Sequence, residues 1–172
     1  MLLQEIRAKQ ALEELNRVDK ITINHPTPWT MIGDKKYTLI FPKYMFNYDL
    51  KKTIDFLFIG KINKKRSDFL KLFPDATIKH SERGRDIKIK VKDEEYFNEM
   101  SKAKFTLCPN GDFIWTYRFF ESIIFKSIPI IEDYCDHYDG YYFYRHNDEY
   151  IYRKDWVDAN LKKLKNEMTI NI

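Results

Sequence analysis

The sequence predicts an α/β fold in which a mostly parallel sheet is flanked by helices. Predicted strands and helices alternate along the chain, which is the order of parallel strands joined by crossover helices. The segment Ser101 to Asp133 shows this order most clearly, as a strand, a glycine turn, an amphipathic helix and a second strand. That second strand, Ile128 to Ile131, is an apolar run without alternation, which is typical of a strand covered on both faces.

The elements before this segment are predicted from apolar periodicity and from proline and glycine. Leu2 to Val18 carries one apolar stripe and is predicted as a helix. Two prolines make His25 to Thr30 a predicted loop. The next elements are, in order, a strand at Tyr37 to Phe41, a strand at Asp55 to Gly60, a helix at Lys64 to Phe73, a strand at Ala76 to His80, a charged loop at Ser81 to Asp86 and a helix at Lys92 to Ala103.

A polar turn follows the next predicted strand. The strand Lys104 to Cys108 is stopped by Pro109, and Asn110 and Gly111 supply a turn into a helix. Ligands of open α/β sheets gather beyond the carboxyl ends of the strands, so this turn is a predicted binding site. The elements that follow it are the helix from Phe113 to Lys126, the strand Ile128 to Ile131, a last strand at Tyr141 to Tyr144 and a closing helix at Asp155 to Met168.

The helix that follows this turn has two predicted faces. Its apolar residues share the sheet-packing side, namely Phe119, Phe120, Ile123 and Ile124. Arg118, Glu121 and Ser122 fall on the opposite side. Two interpretations of that side stay open. Arg118 and Glu121 form an exposed ion pair, or Arg118 binds a phosphate at the helix N-terminus while Glu121 accepts hydrogen bonds from ribose hydroxyls.

The loop from Gly60 to Arg66 is a second candidate anion site. A strand that ends in glycine, then a basic loop and a helix start, is the layout of a phosphate-binding turn. Gly60 would let the backbone approach a ligand, and Arg66 would pair with a phosphate through two hydrogen bonds. A solvated, lysine-rich turn is the alternative interpretation.

Composition fits one folded domain and argues against several classes of function. The chain has 172 residues, of which 44% are hydrophobic and 16% aromatic, so a sizeable core is expected. No apolar stretch approaches the length of a membrane span or a secretory signal. The net charge of +4 is too small to indicate nucleic-acid binding, and it suits an anionic small ligand.

Motifs for other chemistries are absent from the sequence. It contains no GxGxxG, no P-loop, no GxSxG and no Asp-x-Asp pair. The Asp, Cys and His residues between Asp133 and His146 match no standard zinc spacing, so we expect no metal site. Cys108 ends a predicted buried strand and is interpreted as a small core residue rather than half of a disulfide.

Several runs of the sequence resemble one enzyme family. SKAKFTLCPNG, YRFFESII and SIPIIED, together with the strand at Tyr37 to Pro42 and the later run FLFIGKINKKR, resemble the exostosin-type (GT47) glycosyltransferases. The resemblance covers about Lys36 to Asp133. Two positions depart from the family pattern: Ser127, preceded by Lys126, stands for the usual glycine before Ile-Pro, and Tyr117 stands for a small residue.

This resemblance implies the Rossmann-like, nucleotide-sugar-binding half of a GT-B fold. We expect a single domain over residues 1–172, with an N-terminal helix and loop (1–35), a nucleotide-sugar-binding core (36–152) and a C-terminal helix (153–172). Three alternatives for the acceptor half then stay open: the enzyme is shortened, a partner chain supplies that half, or the chain binds a donor without turning it over. The lack of an apparent membrane anchor leads us to expect a cytoplasmic protein in a bacterial or viral setting.

The resemblance also implies an activity and a set of site residues. The expected activity is transfer of a sugar from a nucleoside-diphosphate sugar to a hydroxyl acceptor, with inversion and with neither metal nor cofactor. The alternative is a non-catalytic module that binds a nucleotide sugar or a glycan. No membrane span and no nucleic-acid partner are expected. The implied donor-binding residues are Gly60, Arg66, Asn110, Gly111, Arg118, Glu121 and Ser122.

Overall fold

A five-stranded parallel sheet forms the centre of the protein, whose computed structural model describes residues 21–22, 29–32, 35–38, 46–80, 93–167 and 169–170. In chain order the elements are β1 (Ile21–Thr22), β2 (Trp29–Ile32), β3 (Lys35–Thr38), β4 (Ile54–Gly60), α1 (Lys64–Leu70), β5 (Thr77–His80), α2 (Asp93–Ser101), β6 (Ala103–Cys108), α3 (Tyr117–Ile124), β7 (Ile128–Ile131), a 3₁₀ turn (Asp136–Tyr138), β8 (Tyr144–Arg145), α4 (Lys154–Glu167) and β9 (Thr169–Ile170).

The strand order of the central sheet is β5-β4-β6-β7-β8, and every neighbouring pair is parallel. This confirms the predicted α/β fold with helices on a parallel sheet. The chain leaves β4 toward β5 on one side and then crosses to β6 on the other side. The order therefore reverses between β4 and β6, and such a reversal opens a crevice at the carboxyl ends of those two strands.

Alternating side chains of the strands divide the core into two layers. Leu57 and Ile59 of β4 pack with α2 and α3 on one face of the sheet, whereas Phe58 packs with α1 on the other face. All four residues of β7 are buried, as its unbroken apolar run predicts. Fully burying one such large side chain stabilises the fold by about 1.5–3 kcal/mol.

The predicted loop at His25 to Thr30 is wrong at its end. Trp29 and Thr30 belong to β2, which pairs in antiparallel fashion with β3. The prolines lie at positions 26 and 28, so the backbone N–H groups of Trp29 and Thr30 remain available for a strand. The predicted strand at 37–41 begins earlier, at Lys35. The predicted helix at 2–18 and loop at 81–86 lie outside the described residues.

Helix α3 is shorter than predicted, since it begins at Tyr117 rather than at 113 and ends at Ile124. Thr116 caps its N-terminus and accepts a hydrogen bond from the Arg118 N–H at 3.0 Å. At the other end Lys126 takes a left-handed φ of 59°. The Lys126 N–H donates to the Ile123 carbonyl and the Ser127 N–H to the Ser122 carbonyl, which is a Schellman motif. The position that suits glycine is therefore Lys126, not Ser127.

The last strand of the sheet also differs from the prediction. We expected a strand over Tyr141 to Tyr144, but β8 contains only Tyr144 and Arg145. The Asn160 side chain instead pairs with both the N–H and the carbonyl of Tyr142, at 2.7 and 2.9 Å. These side-chain bonds take the place of strand pairing just before β8.

Candidate functional site

Polar residues from two loops meet at the crevice between β4 and β6. One loop leaves β4 at Gly60 and leads into α1, which carries Arg66. The other loop leaves β6 at Cys108 and leads into α3, which carries Arg118. Both loops start at carboxyl ends of strands on either side of the reversal in strand order. The structure thus brings together the two candidate anion sites that the sequence placed in separate segments.

Arg118 is held against the end of β4. Its Nε and Nη2 donate to the carbonyl of Ile59 at 3.1 and 2.9 Å. Its guanidinium also lies over the ring of Phe58, with Cζ 4.5 Å from the ring centroid. A Cβ placed on Gly60 would overlap Nη2 of Arg118. The missing side chain at Gly60 is therefore what lets this guanidinium dock, and no partner of Nη1 occurs among the described residues.

Arg66 spans the two loops. Its Nη1 donates to the Lys61 carbonyl at 2.8 Å, and its Nε lies 3.5 Å from the Asn110 carbonyl. Its Nη2 lies 3.6 Å from where a Cβ on Gly111 would be. Asn63 caps α1 and accepts a hydrogen bond from the Arg66 N–H at 2.9 Å. Arg66 thereby ties the β4–α1 loop to the β6–α3 loop.

The Arg118 guanidinium is close enough to Arg66 to affect the pKa of Arg66. Burial lowers the pKa of Arg66, and the positive charge of Arg118 lowers it further, while Asp112 opposes the shift. Arginine stays charged in proteins, so the crevice holds two like charges that repel. An anion between or beside them would relieve that repulsion. This arrangement favours a phosphate-bearing ligand.

Asn110 is bonded to the end of β7. Its N–H donates to the Glu132 carboxylate at 2.9 Å, and its Nδ2 donates to the Asp133 carboxylate at 2.6 Å. Asn110 is 5% exposed, and its buried Oδ1 has no hydrogen-bond partner among the described residues. Sequence reasoning did not assign roles to Glu132 and Asp133. Their position just after the strand Ile128 to Ile131 is the signal that would have found them.

Glu121 and Ser122 do not lie on an exposed face, since the side of α3 opposite its sheet-packing residues is buried at these two positions. Glu121 is 1% exposed and Ser122 is fully buried. Ser122 donates from its Oγ to the Phe119 carbonyl at 2.6 Å. The Glu121 carboxylate lies close enough to Cys108 to raise the pKa of that thiol. All residues of α3 from Phe119 to Ile124 are buried, and α4 packs against this helix.

Five of the predicted site residues lie at the crevice, and two lie below its surface. Gly60, Arg66, Asn110, Gly111 and Arg118 converge at the ends of β4 and β6. An exposed Arg118–Glu121 ion pair is excluded by the burial of Glu121. A solvated lysine-rich turn does not describe Arg66, which is only partly exposed and bonded to both loops.

An aromatic group beside the crevice escaped sequence reasoning. The rings of Phe113 and Trp115 are parallel within 4°, with centroids 6.0 Å apart. Tyr138 is fully buried, and its hydroxyl accepts from the Thr116 N–H at 3.0 Å and lies 3.3 Å from the Ile114 carbonyl. We predicted that Phe113 to Thr116 begin α3. Phe113 and Ile114, two consecutive large apolar residues, hint at a loop that exposes one of them.

Cys108 belongs to the buried core. Burial raises the pKa of the Cys108 thiol to about 12. Cys108 and Cys135 are both free thiols.

Across residues 46–80 and 93–167, no three His, Cys, Asp or Glu side chains are placed to hold a metal ion. None of the helices among the described residues is both long and apolar enough to cross a membrane.

Comparisons with known proteins point to one family. The family model of the exostosin GT47 domain matches residues 30–150 of the chain. No curated protein matches the chain. A chain in the crystal structure of the GtfA/B complex is similar at 12% sequence identity with a TM-score of 0.32. That alignment covers 69% of this chain and 31% of the other, so this chain spans about a third of its length.

Proposed function

Since the chain belongs to the exostosin GT47 family, with a match that spans the whole parallel sheet, we propose that it binds a nucleoside-diphosphate sugar and transfers the sugar to a hydroxyl acceptor. The family match supports a glycosyltransferase role. The donor class rests on the crevice between β4 and β6, where parallel sheets of this strand order bind nucleotides.

The convergence of Arg66 and Arg118 carries this proposal. A diphosphate has two charged groups, and each guanidinium offers a fork of donors that matches phosphate oxygens. Gly60 leaves room for the Arg118 guanidinium, and the absence of side chains at Gly60 and Gly111 would let a ligand approach the backbone closely. The Arg118 N–H also lies in the first turn of α3, where the helix dipole favours an anion.

The same geometry suggests how the chain would assist the reaction. As a general base takes the proton of the acceptor hydroxyl, its oxygen attacks the anomeric carbon, the bond to the diphosphate oxygen breaks and negative charge develops on the leaving group. Arg66 and Arg118 would stabilise this charge from fixed positions, since both are already bonded to the loops. Attack from the face opposite the leaving group gives inversion. The two cations also supply charge that a metal ion supplies in other glycosyltransferases, which fits a metal-independent reaction.

Glu121 is proposed to accept hydrogen bonds from the ribose hydroxyls. Its carboxylate lies one turn along α3 from Arg118 and near Cys108, the last residue of β6. At 1% exposure, it reaches a ligand only if the ribose enters deeply. Ser122 is left out of the proposed contacts because its hydroxyl is bonded inside the helix. Asn110 is assigned to holding the β6–α3 loop on β7 rather than to direct contact.

Calorimetry with UDP-, GDP- and CMP-sugars tests the proposal. Wild-type protein should bind one of these donors, and Arg118→Ala should weaken that binding by about a hundredfold, since losing charge-assisted bonds to phosphate costs a few kcal/mol. Arg118→Lys should recover only part of the affinity because lysine lacks the fork. A matched control is Arg153→Ala, since Arg153 is bonded to Asp155 and lies over Trp156 instead.

Two further readouts complete the test. Arg118→Ala also loses the bonds to Ile59, so its melting temperature should fall by a few degrees while the fold persists by circular dichroism. Slow donor hydrolysis by the wild type would favour an enzyme, and binding without turnover would favour a non-catalytic module. Absence of binding to every nucleotide sugar would contradict the proposal.

A further inference from the structure

Two large apolar side chains are exposed beside the arginine pair. Phe113 is 52% exposed and Ile114 is 45% exposed, although the next two residues, Trp115 and Thr116, are buried. Exposed apolar groups that adjoin a polar crevice commonly mark a ligand-binding surface. We call the segment Asp112–Trp115 the aromatic ledge.

The ring of Phe113 is held in place before any ligand arrives. It is parallel to the buried ring of Trp115, and Trp115 in turn meets His137 edge to face at 5.7 Å. The Gly111 N–H donates to the Phe113 carbonyl at 3.0 Å. The Tyr138 hydroxyl fixes the next part of the loop through the Thr116 N–H. A ring fixed in this way loses little conformational freedom when something stacks on it.

The aromatic ledge is contiguous with the arginine pair. A Cβ on Gly111 would lie 3.6 Å from Nη2 of Arg66 and 3.9 Å from the Phe113 carbonyl. Glu121, the proposed ribose contact, is 1% exposed and lies deep, whereas Phe113 is 52% exposed and lies at the surface. In a nucleoside-diphosphate sugar, the ribose and the sugar leave the diphosphate in opposite directions. With the ribose toward Glu121, the sugar extends toward Phe113.

From this placement we infer that Phe113 stacks on the apolar C–H face of a sugar ring in the glycosyl-transfer site. The inference rests on the proposed function and adds a sugar-recognition residue to it. An aromatic ring suits a pyranose because one face of the sugar carries mainly C–H groups, which pack on the ring as apolar surface. The stacked sugar comes either from the donor or from the acceptor, and the experiment separates these two sources.

The experiment compares Phe113→Ala, Phe113→Trp and a control, Leu72→Ala, in the full chain. Leu72 is 46% exposed and follows α1, so its truncation removes a similar apolar surface elsewhere. Calorimetry measures the affinities for a nucleoside diphosphate and for its sugar conjugate. Saturation-transfer NMR measures binding of free glucose, galactose, xylose and N-acetylglucosamine with the nucleoside diphosphate present at saturation.

If the stacked sugar belongs to the donor, Phe113→Ala should lower the affinity for the sugar conjugate about tenfold, which is the size of an aromatic stacking effect. The affinity for the bare nucleoside diphosphate should stay unchanged. If the stacked sugar belongs to the acceptor, Phe113→Ala should leave the affinities for both donor ligands unchanged and should abolish the saturation-transfer signal of the free sugars. In both cases Phe113→Trp should bind like the wild type. Equal loss for the conjugate and the bare nucleoside diphosphate would place the base or phosphate on the ring and overturn the inference.

The same measurements separate this inference from the proposed function. If the wild type binds a nucleoside diphosphate and Phe113→Ala matches it with every ligand, the sugar contact is wrong and the donor site stands. If the wild type binds no nucleoside diphosphate, the proposed function fails and this inference fails with it.

Discussion

Gly60 is the residue on which the arrangement of the crevice depends most directly. The Arg118 guanidinium occupies the space that a side chain at position 60 would fill. Its bonds to the neighbouring carbonyl of Ile59 need this close approach. Because Gly60 has no left-handed φ in this structure, glycine is required here for space rather than for backbone conformation.

We expect Gly60→Ala to displace Arg118 and to weaken donor binding at least tenfold, because the guanidinium loses its fixed position. Unfolding in urea should show a loss of about 1–2 kcal/mol from the broken bonds to Ile59. The comparison that tests this mechanism is a double-mutant cycle, in which donor binding is measured for Gly60→Ala, for Arg118→Ala and for the protein that carries both substitutions. If the glycine acts through this arginine, adding Gly60→Ala to Arg118→Ala should change binding little further. Additive losses would contradict the mechanism.

Helix α3 owes its bounds to its two caps. Sequence periodicity extended it from 113 to 126, but Thr116 and the Tyr138 hydroxyl hold the backbone before Tyr117 in an extended form. At the other end the Schellman motif turns the chain sharply into β7. That turn places Lys126 in the left-handed region, where any side chain costs free energy.

Lys126→Gly should therefore stabilise the protein by about 0.5–1 kcal/mol, because glycine adopts this φ without a steric cost. The substitution also removes the ion pair with Asp49, which is partly exposed and contributes little. Lys126→Ala is the control, since it removes the same ion pair and keeps the strained φ. Chemical unfolding should rank the glycine variant above the alanine variant. Equal stabilities would mean that the left-handed turn carries no measurable cost.

Lys52 links several elements of the whole molecule at the end of the sheet opposite the crevice. Its Nζ donates to the Ser101 carbonyl at the end of α2 and to the Phe125 carbonyl at the end of α3, at 2.8 and 2.6 Å. Both carbonyls lack partners within their helices, so a cation there is favoured. Burial nevertheless lowers the pKa of Lys52 from 10.5 to about 8, with Asp49 opposing the shift and Lys126 adding to it.

This pKa predicts a pH dependence of global stability. Between pH 8 and pH 10.5 the unfolded chain keeps the Lys52 proton and the folded chain releases it. The free energy of unfolding contributed by Lys52 should therefore rise with pH across this window, by up to about 1.4 kcal/mol for each pH unit. Below pH 8 both states carry the proton, and the cost of burying the charge is fully present.

Urea unfolding of the wild type and Lys52→Met between pH 7 and pH 10 measures this contribution. The free energy of unfolding of the wild type, minus that of Lys52→Met, should rise with pH. Taking this difference cancels the titration of the groups that the two proteins share. Lys51→Met, at the exposed neighbouring lysine, removes the same formal charge without the burial. A wild-type advantage that stays constant with pH would show that Lys52 titrates alike in both states.

Local sequence patterns predicted most of the helices and strands, and also the β4–α1 and β6–α3 loops that precede Arg66 and Arg118. The apolar run Ile128 to Ile131, the strand that ends at Gly60 and the helix that begins at Lys64 follow from side-chain periodicity and from glycine, which act within a few residues. The same local chemistry marked Arg66 and Arg118 as candidate phosphate ligands. The runs that resemble the exostosin family are likewise continuous in the sequence, so they could be found without the structure.

Contacts between distant segments decided how the two arginines converge and which side chains of α3 are buried. Arg118 meets a carbonyl 59 residues away, and Arg66 meets one 44 residues away, so their convergence depends on the order β5-β4-β6-β7-β8. Helical periodicity placed Glu121 opposite the sheet-packing side, but periodicity cannot reveal that Glu121 is buried. The extended backbone at Thr116, just before α3, likewise bonds to the hydroxyl of Tyr138, 22 residues away. Propensity acts between near neighbours, whereas burial and strand order depend on contacts between segments far apart in the chain.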